Sequence, residues 1–170
     1  FTTTLGDYTI AKSYASLAIG RYNDTIVGSQ PFNWIPTDPI LMVGNGSADN
    51  ARSNAMTVYK NGNTDISGFT RLGTLSEGAP RIKHKKITLN SPSIDGGIIA
   101  NSHNLTYSKI LSATAVLDFG AGSITPGYRY SNGFEYSLSF DANLVYISNQ
   151  AGNSANILDK PVKVLITYEE

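Results

Sequence analysis

"GDYTIAKSYASLAIGRYNDT", Gly6 to Thr25, decides how the first part of this chain folds. Gly6-Asp7-Tyr8-Thr9 is echoed fourteen positions later by Gly20-Arg21-Tyr22-Asn23, and small residues recur at half that interval, at Thr4, Ala11, Ala18 and Thr25. A period of fourteen is too short for a globular unit. It suits one coil of a thin β-solenoid: two short strands, two tight turns, small side chains inside, and glycine where a turn needs positive φ. Such a coil encloses little apolar area. Its larger residues, Leu5, Tyr8, Ile10, Tyr14, Leu17, Ile19 and Tyr22, need cover from outside, and the economical cover is further copies of the same chain about a symmetry axis.

Outward from this repeat the composition divides near residue 70. Residues 1–70 are small, polar and glycine-rich, residues 81–170 hold most of the alternating apolar patterns, and "FTRLGTLSEGAPR" (Phe69–Arg81) reads as a connector. In the later part Phe134-Glu135-Tyr136-Ser137-Leu138-Ser139-Phe140 alternates ring or Leu with polar residues, the period of a half-buried strand, and Asn132-Gly133 before it suits a hairpin turn. Val162–Tyr168 alternates likewise. Ile87–Leu89, Gly97–Ser102, Ile110–Phe119, Ile124–Tyr130 and Leu144–Ser148 supply further strands, although Ser108–Leu117 is also compatible with a helix by composition. Seven or eight short strands with turn signals between them predict an antiparallel sandwich. Ile40–Val43 and Ala55–Tyr59 read as short strands, with Asn45-Gly46 and Asn61-Gly62 as turns.

Composition narrows the function. Thirteen basic and thirteen acidic residues give no net charge, which argues against a nucleic-acid partner. There is no cysteine, hence no disulfide framework or thiolate site, and no apolar run approaches a membrane span, so no membrane insertion is expected. The first residue is Phe1 rather than Met, and we read the chain as part of a longer one.

"ASLAIGRYND", with its Ser16-Leu17-Ala18-Ile19-Gly20, resembles the head repeats of trimeric autotransporter adhesins, whose heads are three-chain parallel β-rolls. The stretch Asp38–Gly68, with Pro39, Gly44-Asn45-Gly46, Arg52-Ser53-Asn54-Ala55 and Lys60-Asn61-Gly62-Asn63, is similar to a connector that follows such rolls in fibre-like proteins of Bacteroidetes and their phages. "IKHKKIT", "GGIIANSHNL", "SKILSATAV" and "ANILDKPVKVLITYEE" look like the terminal β-sandwich of the same proteins. The resemblance implies an all-β homotrimer: a short β-roll or β-prism stalk end over residues 1–37, a neck over 38–80, and an antiparallel β-sandwich head over 81–170. In that setting Arg52 is expected to bond carbonyls or a carboxylate across a subunit boundary.

Each candidate site residue has a competing structural explanation. Lys83-His84-Lys85-Lys86 suits an acidic glycan or a phosphate, or else an edge strand guarded by lysines. His103 is read as a ligand contact or as a loop-capping hydrogen bond; with His84 and no cysteine it makes a poor metal set, so no metal and no cofactor are expected. Asp118, Glu135, Asp141 and Asp159 do not by spacing define the paired carboxyls a glycosidase needs, and no triad is recognisable, so an enzyme is not expected. Tyr128, Arg129, Tyr130 and Asn132 lie in or beside a loop and, with His103, are the candidate ligand-binding residues, since aromatic rings stack on sugar faces while amides orient them. Trp34 is either a stacking platform or a neck residue packed between subunits.

The expectation is a non-enzymatic receptor-binding tip of a homotrimeric tail fibre. It would attach a phage or contractile injection particle, joined through upstream fibre proteins, to a bacterial surface by multivalent recognition of a glycan or outer-membrane component. The alternative is the head of a trimeric adhesin on a bacterial surface; a polysaccharide depolymerase is the third reading.

Overall fold

The computed structural model describes residues 1–128 and 131–170. The described residues are all-β, with thirteen strands, two single-turn 3-10 segments (Tyr107–Lys109 and Ala155–Ile157) and no α-helix. They form two compact units, Phe1–Thr70 and Arg71–Glu170.

The first unit is a five-stranded sheet in chain order: β1 (Thr3–Asp7), β2 (Leu17–Arg21), β3 (Pro39–Asn45), β4 (Asn54–Tyr59) and β5 (Thr64–Ile66). β1, β2 and β3 run parallel, with Thr3 beside Leu17 and Leu17 beside Leu41. The first coil therefore spans the fourteen residues that the repeat predicts, and the second spans twenty-four. Gly6, Gly20 and Gly44 stand side by side across these strands. A Cβ on Gly6 would lie 1.9 Å from the Gly20 oxygen, and one on Gly20 2.4 Å from the Gly44 oxygen, so neighbouring coils close up only with glycine here. The tyrosines that follow repeat as well: Tyr8 and Tyr22 both have positive φ, and their rings stack 4.8 Å apart.

β4 and β5 return antiparallel. Asn61-Gly62 makes their turn, with Gly62 N–H donating to the Tyr59 carbonyl at 2.9 Å and Tyr59 N–H to the Asn63 carbonyl at 2.8 Å. Asn45-Gly46, expected to be a second such turn, is not one. Gly46 prolongs the parallel ladder by donating to the Arg21 carbonyl at 3.1 Å, and the chain returns through a loop pinched by an Ala48–Ala51 bridge. Glycine is needed there for close approach, because a Cβ would sit 2.3 Å from the Tyr22 oxygen. Arg52 bonds carbonyls and a carboxylate of its own chain. Its Nη1 donates to the carbonyls of Tyr8 (2.9 Å) and Asn23 (3.1 Å), and its Nη2 to Asp49 (2.5 Å). Asn23 is fully buried and replaces a missing ladder pair at the coil corner: Oδ1 accepts the Ile10 N–H at 2.7 Å and Nδ2 donates to the Ile10 carbonyl at 2.9 Å.

Side-chain alternation sorts this sheet into two faces. Thr4, Ala18, Met42 and Thr57 are register partners on one face, and Ala18, Met42 and Thr57 are buried. The other face carries Leu5, Ile19, Val43, Met56 and Ile66 in one row across all five strands, with Leu17, Leu41 and Val58 in the next. None of these eight is buried, and Leu5 is 70% exposed.

After the two-residue β6 (Thr70–Arg71), the second unit contains β7 (Arg81–Asn90), β8 (Ile98–Ser102), β9 (Ile110–Asp118), β10 (Ser123–Ile124), β11 (Tyr136–Phe140), β12 (Leu144–Asn149) and β13 (Pro161–Glu169). One sheet has the order β10-β9-β13-β7-β6 and the other β11-β12-β8, and the strand pairs in the second unit are antiparallel. Leu117, Val162, Val164 and Ile166 of the first sheet and Tyr136, Val145 and Ile147 of the second meet in a single core, which makes the unit an antiparallel sandwich. Fully burying a Val, Leu or Ile side chain contributes about 1.5–3 kcal/mol, and this unit buries more such side chains than the first. Tyr136 is buried with its hydroxyl donating to the Ile124 carbonyl at 3.0 Å, and burial pushes its phenol pKa up. Ser108–Leu117, open between helix and strand, lies mostly in strand β9 after one 3-10 turn. The strand expected over Ile124–Tyr130 shortens to Ser123–Ile124, because Gly127 bends the chain at φ 78 and donates to the Tyr136 carbonyl. Of that stretch, Arg129 and Tyr130 lie outside the described residues.

Candidate functional site

Strand directions in the second unit collect its loops at two ends. β7 starts at Arg81, where the chain enters the unit, and stops at Asn90 beside Pro161. The registers then place segments 91–97, 119–122, 125–128, 131–135 and 150–160 at the far end, and 103–109 and 141–143 at the entry end.

The far-end loops are laced together by short polar side chains. Asp95 Oδ2 accepts the Gly152 N–H at 2.5 Å, and its Oδ1 accepts both the N–H and the hydroxyl of Ser154. These bonds hold the Asp95 carboxyl below the usual carboxylate range, the Ser154 hydroxyl first among them. Asn153 accepts the Gly133 N–H at 2.5 Å and donates to Glu135 at 3.0 Å. Asn156 donates its side-chain amide to the Asn132 carbonyl at 3.3 Å and its backbone N–H to the Gly133 carbonyl at 2.9 Å. Buried Asn149 donates to the carbonyls of Pro92 and Ile94. Loops tied in this manner offer a preorganised surface. Its exposed groups include the neutral Ser93, Ser131, Asn132, Gln150 and Asn156 and the carboxylates Asp95 and Asp159, beside a shallow depression of about 200 Å³ lined by Pro92, Ser93, Ile94, Gly97, Ile98 and Ile99. Amides that both donate and accept, next to an apolar patch, match the hydroxyls and C–H faces of a neutral sugar better than they match an ion.

The expected site residues do not all gather here. Tyr128 and Asn132 belong to the far end; Tyr128 leans on the core, and Asn132 is exposed. Arg129 and Tyr130 lie outside the described residues. His103 is at the entry end and fully buried: its Nδ1 accepts the Leu105 N–H at 3.2 Å, and its Nε2 faces the Asp141 carbonyl at 3.1 Å. That is the loop-capping arrangement, in which both ring nitrogens have partners in the chain's own backbone. The neighbouring Asp141 accepts from the Tyr146 hydroxyl at 2.6 Å and from the N–H groups of Asn143 and Leu144, and the Tyr146 bond leads in lowering its pKa to about 2.

The remaining candidates take structural positions. Lys83–Lys86 lies on β7, which borders its sheet next to the two-residue β6, and His84 meets Thr167 across the strand pair at 3.1 Å. Asp118 caps the Gly120 N–H, Asp159 accepts from Asn90, and Glu135 accepts from Asn153. Among the described residues no group of three His, Cys, Asp or Glu side chains is placed to hold a metal ion. The lacing residues Asp95, Asn153 and Asn156 escaped sequence reasoning. The signal for them is the run Asn149–Asn156, "NQAGNSAN", whose amides and serines favour bonds to nearby backbone. No protein family matches the chain, and no curated protein or solved structure is similar to it.

Proposed function

We propose that this chain is the receptor-binding tip of a homotrimeric fibre that attaches a phage or injection particle to a bacterial surface by multivalent recognition, its far-end loops meeting a neutral glycan. One observation carries the reading: the apolar face Leu5–Ile19–Val43–Met56–Ile66, with Leu17, Leu41 and Val58 beside it, is left exposed or half-buried, none of its eight residues being buried. Among the described residues the first unit's fully buried apolar side chains are few, Ala18, Pro39 and Met42, too few to hold some seventy residues folded. Further copies of the chain supply the cover. The threefold number rests on the likeness of Ser16–Gly20 to autotransporter head repeats and of Asp38–Gly68 to the Bacteroidetes fibre connector. Three copies hold three heads together, and simultaneous weak contacts raise the apparent affinity without new bonds.

Light scattering tests the assembly. A mass of three chains is expected, and a folded monomer of 18.2 kDa overturns the reading. A glycan array probed with the intact oligomer tests the ligand; retention on charged phosphorylated glycans alone would reject the neutral-sugar assignment. New reducing ends from host polysaccharide would reject the non-enzymatic reading in favour of a depolymerase. The autotransporter-like repeat favours a second reading, the head of a bacterial surface adhesin with the same assembly. Labelling by antibody on intact cells rather than on particles distinguishes the two.

A further inference from the structure

We propose that segment 24–36, the excursion of the second coil, is a clasp that seats Val27 and Phe32 on a neighbouring copy of this chain, with Lys60 and Asp38 as its latch. The inference rests on the oligomer proposed above and adds to it a named contact.

The second coil is ten residues longer than the first, as the Thr3–Leu17 and Leu17–Leu41 registers require. The added residues are held, not loose. Tyr14 N–H donates to the Gln30 carbonyl at 2.8 Å, Gln30 N–H to Asp38 Oδ2 at 2.9 Å, and Asn61 N–H to the Pro36 carbonyl at 3.0 Å. Lys60, in the β4–β5 turn, reaches beneath the excursion. Its side chain is fully buried, with Nζ 3.9 Å from Asp38 Oδ2, 5.1 Å from the centroid of the Trp34 ring and 5.9 Å from that of Tyr14. Among the described residues this ammonium finds no hydrogen-bond acceptor. Burying a cation on such terms is unfavourable unless the geometry it fixes is needed.

What the latch fixes is an apolar tip. Val27 is 98% exposed and Phe32 84%, so their side chains make little contact within their own chain. From Thr25 to Thr37 there is no charged residue, which suits an uncharged protein surface and not an ionic one. A second copy offers such a surface. At the start of β2 and β3 a depression of about 500 Å³ opens over Ala15, Ser16, Leu17, Ile40 and Leu41, continuous with the uncovered apolar face. The Tyr14–Gln30 bond sets the tip at that same level along the strands. A knob and a hollow at one level on one chain make a heterologous contact, which closes into a ring under rotation.

The test places a photo-reactive phenylalanine analogue at Phe32 of the 170-residue chain and maps the cross-links, alongside Val27→Asp/Phe32→Asp, both exposed positions whose change leaves the chain's own packing intact. We expect cross-links between chains that land on Ala15–Leu17 or Ile40–Leu41, and loss of the oligomer peak in the double variant with an unchanged circular dichroism spectrum. A wild-type oligomer that cross-links only within one chain, or a double variant that assembles as the wild type does, overturns the clasp and leaves the oligomer standing. A monomeric wild type overturns both.

Discussion

The two units of this chain solve the same problem in opposite ways. The second encloses its large apolar residues between two sheets, so that Leu117, Ile147, Val162 and Val164 are inaccessible. The first buries Ala18 and Thr57 with Met42 on one face and leaves most of its large residues on the other. The difference follows from coil width. A fourteen-residue coil closed by a ladder of glycines has no room for a second layer, and bulky side chains must go to the face that another molecule can cover. The second unit keeps its large apolar residues inside, whereas the first leaves most of its own on an accessible face, which is what the proposed assembly would cover.

This contrast can be broken most severely at Ile19, in the centre of the outward row. Ile19→Asp places a charge where other copies are expected, and we expect the oligomer to be lost by light scattering, whereas Ser137→Asp on the exposed side of β11 leaves it intact. Next in size is Asp38→Ala. It strands the buried Lys60 ammonium and is expected to cost about 3–5 kcal/mol, read as a lowered melting temperature; Lys60→Met strands the buried Asp38 carboxylate and is expected to be destabilising too, whereas the double variant Asp38→Leu/Lys60→Met, which removes both charges, is expected to cost less than either single change. Ile147→Ala, in the core of the second unit, is expected to cost about 2–5 kcal/mol from lost burial and a cavity, lowering the unfolding midpoint of that unit without changing the oligomer's mass.

The smallest effect is with pH. Asp141 has a folded-state pKa lowered to about 2, below its unfolded value of roughly 3.9, so its stabilisation is complete above the unfolded value and is lost as the pH falls through about 2. Asp95 shifts in the same direction. Acid titration followed by near-UV dichroism should show the second unit loosening between about pH 4 and 2, and Asp141→Asn should flatten that dependence.

Much of the architecture was legible because period is a local property. The Gly6–Gly20 spacing predicts the parallel Thr3–Leu17 register, and the alternation in Val162–Tyr168 predicts which residues of β13 are buried. Spacing also shows why bulky residues of the coil lack cover. Other features were hidden because they depend on contacts distant in sequence. Gly46 reads as a turn glycine until Tyr22 is seen beside it. That Arg52 reaches the Tyr8 and Asn23 carbonyls of its own chain, 44 and 29 positions away, is likewise invisible in spacing. For His103 the residues leave a ligand contact and a loop cap both open; its hydrogen bonds are those of a cap, and its place at the end opposite Tyr128 and Asn132 depends on strand direction, which no local pattern carries. The Lys60–Trp34–Tyr14 cluster joins residues up to 46 positions apart and left no trace in spacing.

The glycine row has one more consequence. Because Gly6, Gly20 and Gly44 lock successive coils in step, a duplicated stretch of fourteen residues would return every side chain to its own face and lengthen the stack by about 4.8 Å. Inserting a single residue within a strand would instead exchange the two faces from that point on. Length is thereby quantised: the stack of coils keeps its two faces only when it grows or shrinks by whole coils.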